Sequence, residues 1–115
     1  MKLAYGNYGM PQIPYETMLQ HVVEIGYDGV ELCVSSRYPT SPNALNAESR
    51  RDLRQRVQDH GLDITSLMVI GVHVYEPDDA QHMQNLEQIR HIFDLATDLQ
   101  LPQRILTSTI GGRTD

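Results

Sequence analysis

The stretch IGYDGVELCV, residues 25–34, decides the fold, because a helix end, a turn and a strand follow one another within it. Gly26 can adopt the positive φ at which many helices end. The strand that follows carries a carboxylate, Glu31, between two apolar residues. A charged side chain inside an apolar strand is costly unless it is paired, hydrated or used. The role of Glu31 is therefore the first question that the sequence raises.

Strands and helices alternate along the chain. Helical spacing and punctuation predict three helices, which begin near Pro14, Asn46 and Asp78 and end at Gly26, at Gly61 and before Pro102. Runs rich in Val, Ile, Leu and Thr predict four strands, at residues 2–5, 29–34, 63–70 and 104–109. The order β-α-β-α-β-α-β predicts an α/β fold with parallel strands joined by right-handed crossovers.

The apolar residues of the third helix recur at three- and four-residue steps, which predicts one core-facing stripe. Its members are Met83, Leu86, Ile89, Phe93 and Ala96. The second helix carries instead a cluster of basic side chains interleaved with carboxylates, which we interpret as a solvated face. Its members are Arg50, Arg51, Arg54 and Arg56.

The chain length, net charge and cysteine count indicate the class of protein. With 115 residues, residues 1–115 are predicted to form a single domain. The net charge of -6 argues against a nucleic-acid partner, since binding to phosphate backbones needs clustered cations. No stretch approaches the ~20 apolar residues of a membrane span, so no membrane partner is expected. The single cysteine, Cys33, excludes an internal disulfide and favours a cytoplasmic location, and we expect it to be a small buried residue.

Four segments resemble the sugar phosphate isomerase/epimerase family, the xylose isomerase-like barrels. They are KLAYGNYGM at 2–10, GYDGVEL at 26–32, NLEQIRHIFDLATDLQLP at 85–102 and TSTIGGR at 107–113. The resemblance implies a (β/α)8 TIM barrel, a fold that typically needs ~250 residues. The chain would then supply the N-terminal half of that barrel, from β1 to about β4.

The same resemblance implies a chemistry. Members of the family hold a divalent metal, Mn, Mg or Zn, with residues of the later strands, and transfer protons there with two carboxylates. Those positions would lie beyond Asp115, so no catalytic residue and no metal ligand is assigned here. We expect the N-terminal part of an isomerase or epimerase acting on a small sugar or sugar phosphate. The 115-residue chain alone is expected to bind no metal and to be inactive.

Five residues are candidates for binding substrate, because barrel sites lie at the C-terminal ends of the strands. They are Asn7, Tyr8, Glu31, His73 and Arg113. The amide of Asn7 and the phenol of Tyr8 would suit sugar hydroxyls. The imidazole of His73 could bind a metal or donate a hydrogen bond. The guanidinium of Arg113, after Gly111 and Gly112, could pair with an anion. Each has a structural alternative, a turn residue or, for Glu31, a carboxylate paired with Lys, Arg or a hydroxyl. Lys2 and Arg104 are the possible cationic partners.

Other interpretations stay open. A non-catalytic, flavodoxin-like open sheet would bind a ligand without metal, and an inactive truncated fragment is also compatible with the sequence. The barrel resemblance also extends to metal-dependent endonucleases that act at abasic sites, which the negative charge disfavours. An isolated half-barrel would expose two sheet edges and an inner face. We therefore expect either self-association or a missing C-terminal half.

Overall fold

The computed structural model describes residues 1–108. The strands are β1 (Ala4–Gly6), β2 (Gly29–Cys33), β3 (Asp63–Met68) and β4 (Leu106–Thr107). The helices are α1 (Tyr15–Ile25), α2 (Ala47–Asp59) and α3 (Asp79–Asp98). A short 3-10 turn, Asn7–Gly9, follows β1. The predicted alternation of strands and helices is confirmed.

The strands form one parallel sheet in the order β1-β2-β3-β4. This is the sequential order of a barrel segment, whereas a flavodoxin-like sheet reverses its strand order near the first strand. No reversal occurs among the described strands. The predicted fold class, half of a parallel α/β barrel, is therefore confirmed, and the flavodoxin-like alternative does not fit this strand order.

All three helices end in the same way. Gly26, Gly61 and Gln100 have positive φ angles of 100°, 68° and 54°. The next residue in each case donates its backbone N–H to the carbonyl five positions earlier, at 3.0 to 3.1 Å. This 6→1 hydrogen bond is the Schellman helix end, in which the following apolar residue packs back on the helix. The first two ends follow from glycine in the sequence, whereas the third has glutamine at the left-handed position.

The predicted helix starts are also confirmed. Asn46 caps α2 by accepting the N–H of Ser49 at 2.9 Å, and the Ser49 hydroxyl accepts the Asn46 N–H at 3.1 Å. Asp78 caps α3 by accepting the N–H of Gln81 at 2.8 Å. These side chains satisfy backbone donors that have no partner within the helix.

One hydrophobic core lies between the sheet and the helices. Val30 and Leu32 on β2 are fully buried there, together with Leu19 of α1, Leu53 of α2 and Leu95 of α3. Alternate β2 residues therefore meet the helices, and Glu31 faces the opposite side of the sheet. That opposite side corresponds to the interior of a barrel.

The predicted apolar stripe of α3 is wrong in part. Met83, Leu86 and Phe93 remain 64%, 42% and 38% exposed, whereas Ile92 and Ala96 are buried. Of the described helices, α2 packs beside α3, and the described residues leave part of the apolar surface of α3 uncovered. Spacing identified the apolar residues correctly but could not tell how wide a surface the neighbouring elements cover.

The basic cluster of α2 is not uniformly solvated. The side chain of Arg50 is only 16% exposed, and its Nη1 lies 2.7 Å from Asp98 Oδ2 on α3. Its Nε and Nη2 donate to the carbonyls of Leu45 and Pro42, each at 3.0 Å. The planar guanidinium has donors in several directions, so it joins the β2–α2 loop to two helices. Our interpretation of a solvated face is wrong for this residue.

The first strand begins later than predicted. Residues 2 and 3 precede β1, and the Leu3 N–H is bound by the Asp28 carboxylate at 2.8 Å. The third strand ends at Met68 rather than at residue 70. The fourth is described only at Leu106–Thr107, and the rest of its predicted range extends past residue 108. Within residues 1–108, no helix has the length and hydrophobicity needed to cross a membrane.

Candidate functional site

Residues from all four strands meet at Glu31 on the inner face of the sheet. Parallel pairing places Gly6 beside Glu31, and Glu31 beside Ser66. The Glu31 Oε2 atom accepts hydrogen bonds from Ser66 Oγ at 2.5 Å and from Thr107 Oγ1 at 3.4 Å. A Cβ at Gly6 would lie 3.6 Å from Oε1, which is an ordinary van der Waals contact, so Gly6 lies directly beside the carboxylate. We call Gly6, Glu31, Ser66 and Thr107 the inner-face cluster.

The question raised by Glu31 has a structural answer. Its partners are hydroxyl groups, one of the alternatives that the sequence left open. Within residues 1–108, neither of the two possible cationic partners, Lys2 and Arg104, forms an ion pair with it. Glu31 is half-buried, and no described residue is hydrogen-bonded to its Oε1 atom. The carboxylate is thus anchored through one oxygen, while the other remains able to accept a hydrogen bond.

Asn7 has a structural position. It is 2% exposed, and its Oδ1 accepts the backbone N–H of Cys33 at 2.6 Å. Its Nδ2 donates to Thr40 Oγ1 at 3.1 Å, and that hydroxyl donates to the Cys33 carbonyl at 2.6 Å. Strand β1 has already ended here, so two side chains bind the peptide groups at the end of β2. Substrate contact by Asn7 stays a prediction, and most of its hydrogen-bonding capacity is used within the fold.

Tyr8 and His73 follow the C-terminal ends of β1 and β3. Tyr8 is 54% exposed, and its carbonyl accepts the Tyr38 hydroxyl at 2.7 Å. His73 is half-buried, and its carbonyl accepts from Asn85 Nδ2 at 3.1 Å. Both backbones are therefore fixed by side chains from neighbouring elements. Arg113, the remaining predicted binding residue, lies outside the described residues, as do Gly111 and Gly112.

Sequence reasoning missed Ser66 and Thr40. Ser66 is an ordinary strand residue by its spacing, and it reaches Glu31 because the register shifts between Val30 and Glu31. Thr40 lies in the loop between β2 and α2 and is fully buried. Neither residue has a local pattern that would have identified it. Cys33 is fully buried, as expected.

The inner-face cluster does not by itself fit the divalent metal that the resemblance implies. Glu31 is its one carboxylate, and its neighbours there are a glycine and two hydroxyl residues. Within residues 1–108, no three His, Cys, Asp or Glu side chains come together in a way that could hold a metal ion. A complete cation site would therefore need ligands from elsewhere.

The comparisons with known proteins agree with this architecture. The chain has 18% identity and a TM-score of 0.70 to the crystal structure of the probable 3-DHS dehydratase AsbF, involved in petrobactin synthesis, from Bacillus anthracis. The match covers 94% of this chain but 38% of that one, so the chain spans well under half of this solved protein. No curated protein matches the sequence. A family model described as the xylose isomerase-like TIM barrel matches residues 19–114. The chain therefore belongs to the xylose isomerase-like TIM barrel family.

Proposed function

We propose that this chain is the N-terminal part of a sugar-processing barrel enzyme, and that its inner-face cluster binds hydroxyl groups of a small sugar or sugar phosphate. The observation that carries the proposal is the placement of Glu31. Four parallel strands contribute to its surroundings, and it lies on the face that a barrel encloses. Family membership and the barrel-like strand order support the same conclusion.

The chemistry of the cluster suits recognition of a polyol. Hydrogen bonds from Ser66 and Thr107 fix Oε2 of Glu31, so the carboxylate is already oriented before a ligand arrives. Its Oε1 can accept a hydrogen bond from a sugar hydroxyl, and charge-assisted hydrogen bonds of this kind are stronger than neutral ones. Glu31 is therefore assigned a binding and orienting role.

The reaction class that we propose is isomerisation or epimerisation, in which a proton leaves the carbon next to a carbonyl and returns elsewhere. No described residue is assigned as the proton-transfer group. The resemblance implies a divalent cation in the complete enzyme, and because the described residues do not form its site, no step is assigned to it here. A cytoplasmic location belongs to the same proposal, since the single cysteine is unpaired and buried.

The proposal includes a structural partner. The inner-face cluster and the exposed apolar residues Met83, Leu86 and Phe93 of α3 are the surfaces that further barrel units would cover. We propose that they pack against a C-terminal half-barrel. Native mass spectrometry of the purified chain tests this: a monomer that exposes these surfaces supports the proposal. A stable dimer would instead mean that a second copy covers them.

Sugar binding can be mapped by NMR on the 15N-labelled chain. Titration with aldose and ketose sugars and their phosphates is expected to shift the backbone amides of Gly6, Glu31 and Ser66. Glu31→Gln should weaken this binding by about tenfold, because a charge-assisted hydrogen bond becomes a neutral one. Glu48→Gln, on the exposed first turn of α2, is the matched control. Equal binding by Glu31→Gln and the control would contradict the proposal.

A further inference from the structure

Arg37 lies in the loop that follows the C-terminal end of β2, the strand that carries Glu31. Of the Lys and Arg residues within 1–108, it alone is found in a loop that leaves the C-terminal end of a strand. The others precede β1 or β4 or belong to α2 and α3. Arg37 is exposed, and within residues 1–108 it forms no ion pair with a carboxylate. Its charge is therefore available to a ligand.

The guanidinium of Arg37 is supported by an aromatic ring. Its Cζ lies 5.7 Å from the centroid of the Tyr38 ring, within the range of a cation–π contact. Tyr38 is only 2% exposed, and its hydroxyl donates to the Tyr8 carbonyl at 2.7 Å. The Tyr38 N–H donates to the Ser35 carbonyl at 2.9 Å, so a closed turn carries the arginine. The support is fixed before a ligand arrives, which lowers the entropic cost of binding.

Arg37 and the Oε1 atom of Glu31 are both related to one short segment, residues 6–8. A Cβ at Gly6 would lie 3.6 Å from this Oε1 atom. At the other end of the segment, the Tyr8 carbonyl accepts the hydroxyl of Tyr38, the residue on which Arg37 stacks. Gly6 and Tyr8 are separated by at most about 7 Å of chain. A ligand with the length of a phosphorylated hexose can extend from one end of this segment to the other.

The charge of Arg37 indicates the class of ligand. A guanidinium that stacks on a ring keeps its N–H donors in its own plane, where they match the oxygens of a phosphate or a carboxylate. The net charge of -6 and the Glu31 carboxylate both repel such an anion. A negatively charged sugar therefore needs a local cation beside this site, whereas a neutral sugar does not.

We propose that Arg37 is a specificity-determining residue, which pairs with the phosphate or carboxylate of an anionic sugar whose hydroxyl binds Glu31 Oε1. The inference rests on the proposed function, which names both free sugars and sugar phosphates, and it selects the anionic ones. The role of Arg37 is recognition, since no bond is made or broken at its guanidinium. Neutral sugars use the inner-face cluster alone and are bound more weakly.

The test is an NMR titration of the 15N-labelled full chain with fructose, fructose 6-phosphate and gluconate at low salt. We expect fructose 6-phosphate to bind at least about tenfold more tightly than fructose, and to shift the backbone amides of both Gly6 and Tyr38. Gluconate, which carries a carboxylate, separates the two kinds of anion, and a preference for either anion over fructose supports the inference. About 0.5 M NaCl should remove most of this preference, because an exposed ion pair is screened by salt.

Variants of three arginines make the assignment specific. Arg37→Gln should weaken the binding of fructose 6-phosphate by about tenfold and leave that of fructose unchanged, because only the charged contact is removed. Arg51→Gln, exposed on α2, is the matched control and should keep the preference for the phosphate. Arg113→Gln removes the other arginine that the sequence associates with an anion. Equal binding of fructose and the two anions by the natural chain, or a preference that survives in Arg37→Gln, would overturn the inference.

A titration with inorganic phosphate separates this inference from the proposed function. Saturable shifts of the Tyr38 amide that disappear in Arg37→Gln would support the anion site, and if fructose then left Gly6 and Ser66 unshifted, only the proposed function would fail. Shifts of Gly6 and Ser66 with fructose, without any response of Tyr38 to phosphate, would overturn the inference alone. No response to any of these ligands would overturn both.

Discussion

Ser66 Oγ donates a hydrogen bond of 2.5 Å to Glu31 Oε2, and a register shift between β2 and β3 makes this contact possible. Val30 pairs with Ile64, but the next residue, Glu31, pairs with Ser66 and not with Thr65. Such irregularities re-aim side chains and are frequent beside functional sites. The shift places Ser66, rather than Thr65, beside the carboxylate.

Ser66→Ala should lower the free energy of unfolding by about 1 kcal/mol, because the half-buried carboxylate loses its shorter hydrogen bond. Urea denaturation at neutral pH measures the change. Ser36→Ala, in the exposed segment after β2, is the control for loss of a hydroxyl. Equal effects of the two substitutions would mean that the Ser66–Glu31 contact contributes nothing to stability.

Asn7→Ala should be more destabilising, by about 2 to 4 kcal/mol. It leaves the buried N–H of Cys33 without its acceptor and removes the donor to the Thr40 hydroxyl. Asn43→Ala removes an exposed amide from the next loop and should change stability by less than about 0.5 kcal/mol. Thermal unfolding of both variants measures the difference, and similar melting temperatures would contradict the structural role of Asn7.

Arg50→Ala should destabilise the chain by about 1 to 3 kcal/mol, since it removes the connection between the β2–α2 loop and α3. The neighbouring Arg51 is exposed and forms no hydrogen bond with another described side chain, so Arg51→Ala is the matched control. Denaturant unfolding and amide exchange of residues 42–45 measure the effect. Unchanged exchange in Arg50→Ala would show that this arginine does not hold the loop.

The environment of Tyr15 predicts a loss of stability at high pH. Its hydroxyl donates to Asp52 Oδ2 at 2.7 Å, and burial and this hydrogen bond raise its pKa well above the ordinary value of 10.0. The folded state therefore favours the protonated phenol. The stabilisation is fully present below pH 10.0 and is lost as the pH rises above it, because the unfolded chain then releases the proton.

Tyr15→Phe tests this dependence. The difference in unfolding free energy between the natural chain and the variant should shrink as the pH is raised from about 9 to about 11. Tyr75→Phe, at a residue that is 58% exposed, controls for the loss of a phenol. A constant difference across this range would contradict the contribution of the Tyr15 hydroxyl.

The environment of Asp52 predicts a loss of stability at acid pH. The hydrogen bond from Arg56, followed by that from Tyr15, lowers the pKa of the Asp52 carboxyl below its ordinary value of 3.8. This stabilisation is present above pH 3.8 and is lost as the pH falls below it. Asp52→Asn should therefore flatten the acid limb of the stability curve. Asp59→Asn, at the end of the same helix, is the comparison, and parallel acid limbs for the two variants would contradict the prediction.

Gln100→Gly should stabilise the chain by about 0.5 to 1 kcal/mol. Gln100 has a φ of 54°, a left-handed conformation that is strained for residues with a Cβ atom. Glycine at Gly26 and Gly61 adopts the same region without this strain. Chemical denaturation measures the gain, and Gln58→Gly, within α2, should instead destabilise by about 1 kcal/mol. A loss of stability in Gln100→Gly would contradict the strain.

The sequence by itself determined the local structure. The caps at Asn46 and Asp78, the glycine helix ends and the alternation around Glu31 depend on interactions within a few residues, so spacing and residue type were sufficient. They also fixed the parallel α/β class, because strands alternate with helices. The glutamine at the third helix end could not be recognised, since that conformation normally indicates glycine.

The tertiary structure decided which side chains become hydrogen-bond partners. Three contacts join residues that are 26 to 76 positions apart in the sequence. They are the hydrogen bond of Asn7 to Cys33, that of Arg50 to Asp98, and that of Thr107 to Glu31. The register shift opposite Glu31 likewise depends on a strand that is distant in sequence. Such contacts are set by how strands slide and helices rotate against a shared core, and a one-residue change in register alters which side chains meet. The sequence therefore predicted where a carboxylate would face the barrel interior, whereas only the folded chain determined that two hydroxyls hold it there.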